Sequence, residues 1–246
     1  MKIVWLSANK LGYELLKEAL SLDCVNVNSV ITLSKDAKTV MYDKINPKLW
    51  HKFNIKVIEI NKINDEIKII KKLKPDIIIM CGWRQIISSE ILKIPKYFIG
   101  FHPTLLPVGR GPAPIINSIL NGFKESGLTM FHVTDGLDNG DIIGQEPFLI
   151  EENDHSSQVY EKVIFAGKKL IKKYLPLLIK EKAPRIKQDE TKATVFKKPI
   201  LSDNEINLDT DVETVFRKIK ALSKPYNGAY LKIGNNKLKI WRAEKE

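Results

Sequence analysis

The chain has 246 residues, of which 43% are hydrophobic and 28% charged, and it carries a net charge of +11. That is the composition of an ordinary soluble globular protein. The length can bury a sizeable core, as one large α/β domain or as a domain with an appendage. No apolar run approaches the roughly 20 residues of a membrane span, which excludes a helical membrane protein. The opening "MKIVWLSANK" is too short for a signal-peptide core and reads as a first strand. The two cysteines, Cys24 and Cys81, have neither CxxC nor metal-ligand spacing, and two reduced thiols suit a cytoplasmic protein. Only five of the forty cations are Arg, at positions 84, 110, 185, 217 and 242. The Lys residues are scattered over helix faces such as "EIKIIKKLK" and "GKKLIKKYL". This favours a solvated surface over a nucleic-acid reader, which leans on Arg for bidentate contacts. An anionic partner (nucleic acid, a phosphorylated substrate or a polyglutamylated cofactor) is the alternative.

In chain order, "KIVWLS" (2–7) is a buried strand, and 13–22 carries apolar residues at helical spacing. Residues 25–33 form a second strand. The polar stretch 34–54 reads as a long surface loop, of the kind that is usually functional or mobile. A strand at 56–60 and an amphipathic helix at 65–74 follow, the helix ending at Pro75. "DIIIMCG" (76–82) is the continuous apolar strand found at the centre of a parallel sheet. One helical turn ("SEILKI"), a strand at 97–102 and a helix at 114–120 precede strands at 126–134 and 141–150. A long helix spans 156–179 with a Ser/Gln start signal. Strand–helix alternation over the first 150 residues specifies βαβ units, right-handed crossovers and a mainly parallel sheet. The composition then shifts to a polar linker, "KEKAPRIKQDETKATVF", before a helix at 212–223 and a hairpin from 229. The expected division is 1–183 as the main domain and 184–246 as a small helix and hairpin region.

In an open α/β sheet, ligands bind outside the carboxyl ends of the strands. Three segments lie there: "CGWRQIIS" (81–88), "HPTLLPVGRG" (102–111) and "DGLDNGD" (135–141). The second supplies His102, and histidine is the side chain type suited to proton transfer near neutral pH. The third supplies Asp135, Asp138 and Asp141. A His with an Asp at a neighbouring strand end can do general acid–base work. A buried structural His beside turn-forming aspartates is the competing reading. His51, His132 and His155 read as strand and surface residues.

The two motifs "GFHPTLLPVGRGPAPI" and "GLDNGDII" carry a resemblance. They resemble the formyltransferase family that uses 10-formyltetrahydrofolate, whose pattern is roughly NxHPSLLPxxRGxxPI followed by GLDTGDII. "PDIIIMCGWRQII" looks like that family's strand and folate loop, and "KPYNGAYLKIGNNKLKIWRA" like the start of its C-terminal region. The resemblance covers most of the chain from Pro75 onward and leaves out 34–54. It implies a Rossmann-like, mainly parallel sheet flanked by helices, with a small C-terminal helix and hairpin. It implies an enzyme that moves a formyl group from the folate to an amine. His102 and Asp138 match the family's catalytic pair. The pterin is expected against Trp83, Arg84, Gln85, Ile86 and Ile87 and against Val133, Thr134, Asp135 and Gly136. Gly100 stands where the family has an Asn that donates to the developing oxyanion. Asn117, Asn139, a water or the backbone N–H at Gly100 are candidate substitutes. Without one, the resemblance implies a slow enzyme or a folate or nucleotide binder without turnover.

Within the family, an opening directly on the first strand leads away from the expectation of the hydrolase, which carries an extra N-terminal domain, and the loop "SANKLG" departs from the purine enzyme's Gly/Ser-rich phosphate loop. It stops at Glu246, where the tRNA enzyme's C-terminal barrel would begin to close. The remaining expectation is a sugar-nucleotide N-formyltransferase, with an amino-deoxysugar on a nucleoside diphosphate as partner. Asn9, Lys10, Pro103, Thr104, Arg110 and the 34–54 stretch are the expected acceptor contacts, Arg110 because guanidinium suits phosphate. A compact methionyl-tRNA formyltransferase is the alternative. The C-terminal helix and hairpin are expected to close over the sheet or to pair with a second subunit as a homodimer.

Overall fold

The computed structural model describes residues 1–245. Seven strands form one sheet in the order β3-β2-β1-β4-β5-β6-β7. They are β1 (Ile3–Leu6), β2 (Val27–Leu33), β3 (Lys56–Ile60), β4 (Ile77–Met80), β5 (Tyr97–His102), β6 (Glu125–His132) and β7 (Ile142–Leu149). The first five run parallel, and β6 and β7 add antiparallel strands at one edge. The strand order reverses between β1 and β4, so their carboxyl ends flank a crevice. The helices are α1 (Lys10–Leu20), α2 (Ile67–Leu73), α3 (Ser89–Leu92), α4 (Pro114–Leu120), α5 (Ser156–Ile179) and α6 (Val212–Leu222). A large core cluster lies on the face covered by α1, α4 and α5, and a smaller one lies under α2 and α3. β1 and β4 contribute residues to both clusters, which is why their sequences are apolar without alternation.

The stretch 34–54 is more ordered than its polar composition suggests. Pro47–Phe53 forms a 3₁₀ helix whose Asn46 side chain accepts the Lys48 N–H. Trp50 is fully buried there, edge-on to Tyr13 of α1. Pro47 fixes one φ and Trp50 supplies the burial, so a single aromatic anchors an otherwise polar segment.

The expected linker is also pinned. Ile186 exchanges backbone hydrogen bonds with Ile142, and Phe196 N–H donates to the Arg110 carbonyl at 2.8 Å. Beyond it, α6 packs on α4 and α5, and Ser156 Oγ at the start of α5 donates to the Ala221 carbonyl at 2.6 Å. The C-terminal helix therefore closes over the main body. The hairpin β8 (Ala229–Ile233) and β9 (Asn236–Ile240) forms a separate two-stranded sheet. Among the described residues, no helix is long and apolar enough to cross a membrane.

His132, at the end of β6, is buried beside Tyr97. Burial first, and the nearby Arg185 charge second, push its imidazole down to about 4, against a smaller opposing effect of Asp141. The unfolded chain takes up this proton near pH 6.5 and the folded chain only near 4, so stability falls as pH drops through that window. Thermal melts from pH 7 to 4 should show the loss. His132→Gln should flatten the profile by on the order of 2 kcal/mol at the acid end. An unchanged pH slope in that variant would rule out His132 as the cause.

Candidate active site

At the carboxyl ends of the strands lies a cleft of about 380 Å³, within the size range of small-molecule sites. The crevice between β1 and β4 opens into it, so Asn9 after β1 and Gly82–Ile86 after β4 both form its wall. His102 at the end of β5 and Asp138 in the β6–β7 connection complete it. The structure thus brings together the two titratable residues that the sequence singled out, 36 positions apart.

His102 is buried, at 6% exposure. Its Nε2 lies 2.7 Å from the Gly109 carbonyl oxygen, and its Nδ1 lies 3.5 Å from Asp138 Oδ2. A carbonyl only accepts, so Nε2 carries a proton and Nδ1 faces the carboxylate. The 3.5 Å separation exceeds a good hydrogen bond. A proton at Nδ1 can therefore be held by Asp138 or turned toward a reacting group in the cleft. Asp138 Oδ2 is itself fixed by the Gly111 N–H at 2.9 Å. Gly111 has φ of +97°, a conformation costly for a residue with a side chain. Asp138 also adopts a left-handed conformation, with φ of +48°, which Asp tolerates better than most residues.

The proline loop beneath this pair is held from two sides. From the sheet, Thr129 Oγ1 donates to the Thr104 carbonyl and Gln145 Nε2 donates to the Leu106 carbonyl. From the chain beyond α5, Thr194 Oγ1 accepts the Gly109 N–H at 2.8 Å and Gln188 Nε2 donates to the Asp138 carbonyl at 2.8 Å. Arg110 is the centre of this clamp. Its guanidinium donates to Gln188 Oε1 and, in a two-pronged pair, to both Glu190 oxygens at 2.7 and 2.9 Å. The arginine holds the Glu190 carboxyl below its usual range. Arg110 is therefore spent on the linker and does not present its charge to the cleft, a correction to its expected substrate role.

The other expected contacts divide. Trp83, Arg84, Gln85, Ile86, Asn9 and Pro103 line the cleft. Gln85 does so with its side chain committed: its amide donates to Thr39 Oγ1 and the Asn61 carbonyl, and its Oε1 accepts the Ile63 N–H. Ile87 packs into the core beneath α3. Val133 also packs inward, Thr134 donates to Asn139 Oδ1, and Asp135 and Gly136 are exposed on a local turn. Leu137 and Asp138, rather than 133–136, are what this loop gives the cleft. Lys10 is turned away, paired with Glu161 of α5 at 2.5 Å. Thr104 is buried in the loop with its hydroxyl unpartnered.

Gly100 has a packing reason. It lies opposite Phe131 in the antiparallel β5–β6 register. A Cβ at Gly100 would stand 2.8 Å from Val133 Cγ2 and 3.0 Å from the Phe131 ring, so the volume an Asn needs is already filled. Neither of the two candidate asparagines replaces it. Asn117 Nδ2 donates to the carbonyls of Pro112, Ala113 and Lys197, and Asn139 lies on the outer turn.

Sequence reasoning missed Tyr160 and Tyr226 and reached Asp43 only as an unsingled member of the 34–54 stretch; all three line the cleft. Asp43 Oδ2 accepts from Tyr160 Oη at 2.6 Å and from Asn9 Nδ2 at 2.8 Å. Burial and the Asp43 charge raise the Tyr160 phenol well above its usual range. Tyr160 lies on the buried stripe of α5, where a polar tip among apolar residues is a usable signal. A single Asp in a polar stretch gives none.

With that geometry in place, the comparisons decide the family. A family model described as formyl transferase matches residues 1–175, and its C-terminal domain model matches 201–246. The chain belongs to the formyl transferase family. It is 33% identical to the bifunctional polymyxin resistance protein ArnA of Wigglesworthia glossinidia brevipalpis, over 99% of this chain and 38% of that protein. It is 36% identical to a methionyl-tRNA formyltransferase of Bacillus cytotoxicus, over 79% of this chain and 62% of that one. The chain thus spans less than two thirds of the length of these relatives. A solved N-formyltransferase from Helicobacter canadensis, in complex with folinic acid and dTDP-3-aminofucose, superposes with a TM-score of 0.76. It is 25% identical, over 96% of this chain and 86% of that one.

The Gly100 packing makes a prediction. Gly100→Asn should destabilise the protein by about 1–3 kcal/mol in denaturant unfolding, as overpacking does, and should not raise turnover. Unchanged stability together with faster turnover would show that the space is available to an amide after all.

Proposed function

We propose that this protein transfers the formyl group of 10-formyltetrahydrofolate to the amine of a nucleotide-linked amino-deoxysugar. The observation that carries the reading is one cleft, at the point where the strand order reverses, that holds His102 against Asp138. Its first wall, Trp83 to Ile86, fits the donor: the Trp83 and Ile86 side chains offer apolar surface to a flat ring, and the Arg84 guanidinium offers donors beside it. The bound donor supplies an activated formyl carbon. The His102 imidazole, with Nε2 spent on Gly109, stabilises negative charge on the formyl oxygen through the Nδ1 proton. Asp138 keeps the imidazolium stable and takes or relays the proton from the attacking amine toward the departing folate nitrogen. No side chain at position 100 contributes, so His102 and backbone N–H groups carry the oxyanion.

The sugar acceptor is supported by the Helicobacter protein, whose structure holds a folate and an amino-sugar nucleotide together. It is also supported by the scarcity of Arg and the commitment of Arg110 within the fold. A methionyl-tRNA acceptor is the second reading, favoured by the 36% identity to the Bacillus protein. It calls for a basic face along a phosphate backbone.

The protein, given 10-formyltetrahydrofolate and a panel of nucleotide-linked amino sugars, should yield a formylated product by mass spectrometry. His102→Ala and Asp138→Asn should each lower kcat by about 10²–10⁴-fold while melting like the parent. Formylation of methionyl-tRNA with none of the sugars would overturn the sugar reading.

A further inference from the structure

Residues 133–141 carry Asp138 and adopt neither helix nor strand. Between Thr134 and Gly140 no backbone N–H or carbonyl pairs with another backbone group among the described residues. Thr134 and Asn139 bond to each other inside the loop. Three hydrogen bonds tie 134–140 to the rest of the described protein. One is the Gly111 N–H on Asp138 Oδ2. The other two come from a single side chain, Gln188, whose Nε2 donates to the carbonyls of Asp138 and Gly140, each at 2.8 Å.

The amide of Gln188 is used completely. Its Oε1 accepts from Arg110 Nε at 3.0 Å and from Nη2 at 2.7 Å, and its two N–H groups meet the two carbonyls. An amide supplies two acceptor sites and two donors from one planar group, and all four are engaged here. Glu would set a carboxylate oxygen against the two carbonyls, and Met would leave both carbonyls and the guanidinium unmet. Donation from the guanidinium to Oε1 also polarises the amide and strengthens its N–H groups as donors. The buried Arg110 charge thereby reaches the loop of Asp138 through one side chain.

Asp138 needs such a hold. Its φ of +48° is a left-handed conformation, which a residue with a side chain keeps where its surroundings enforce it. The Gly111 contact acts on the carboxylate, whereas Gln188 fixes the backbone on either side of Asn139. Gln188 itself lies outside the cleft lining. Resting on the reading of His102 and Asp138 as the reacting pair, we propose that Gln188 is a positioning residue for the reaction. It holds the Asp138 carboxylate where that group stabilises the His102 imidazolium and relays the proton, and its effect on turnover runs through Asp138.

The test is a double-mutant cycle on the full chain. The donor is 10-formyltetrahydrofolate, and the acceptor is the amino sugar formylated in the panel, or methionyl-tRNA if none is. Gln188→Met should lower kcat about 10–100-fold, the cost of a displaced reacting group, and leave both KM values unchanged. Gln188→Glu keeps the acceptor that Arg110 uses and loses both donors to the loop, so it should lose kcat similarly while melting closer to the parent. In the Asp138→Asn background, Gln188→Met should cost less than about twofold, because the group it positions is gone. A residue that merely supports the fold would cost the same in both backgrounds. Folinic acid should bind Gln188→Met with the parental Kd, while amide hydrogen exchange over 134–140 should speed up. Lys187→Gln, exposed and one residue away, is the control and should match the parent throughout. Unchanged exchange over 134–140, parental kcat in both Gln188 variants, or equal losses in the two backgrounds would each overturn the assignment and leave the His102–Asp138 reading standing. Parental kcat in Asp138→Asn would overturn both.

Discussion

Arg110 has almost no contact with water, and a guanidinium in that position is tolerable only where oxygens meet its donors. Here Gln188 and Glu190 meet them, from a segment nearly eighty residues downstream. The pairing does more than settle one charge. It brings 186–196 across the proline loop, so that Thr194 and Phe196 fix the backbone at Gly109 and Arg110 and Gln188 fixes the loop of Asp138. Both partners of His102 are therefore set by the same clamp: the Gly109 carbonyl on Nε2 and the Asp138 carboxylate near Nδ1. A positioned imidazole needs fixed neighbours on both nitrogens, and this is how the chain supplies them.

The cleft has an uneven division of labour. The wall after β4 mixes the apolar Trp83 and Ile86 with Arg84 and Gln85, and Gln85 is committed to tying the 34–54 stretch and the β3 end to the loop. The opposite side gathers Asp43, Asn9 and Tyr160 into one hydrogen-bonded group between α1, α5 and the 34–54 stretch. Such networks are stiff when satisfied and costly when not. This one is satisfied except at Asp43 Oδ1, beside Arg84.

The missing Asn at position 100 shows how a local exchange is compensated elsewhere in the sheet. Phe131 takes the volume from across the β5–β6 ladder, and its ring reaches the cleft wall. The pair places an apolar surface in the cleft where the family pattern has an amide donor. On the proposed reading, charge stabilisation then falls to His102, whose desolvated position strengthens any interaction it makes there.

Much of the fold was legible along the chain because its signals are local. Apolar runs at 3–6 and 77–80 mark strands buried on both faces, and the α5 periodicity marks a helix lying on the sheet. His102 and Asp138 were legible because their motifs place them at strand ends. What the sequence could not show was pairing at long range. Nothing local in "RIKQDET" says that it closes over a loop eighty residues earlier, and nothing local in "MYDKI" says that its Asp meets Tyr160, 117 positions away. Arg110 by itself reads as a cation awaiting a phosphate, and only the arrival of Glu190 decides that it serves the fold. Periodicity and propensity are properties of neighbours in sequence, whereas the partner of a buried charge is settled by which segments the packed core brings together.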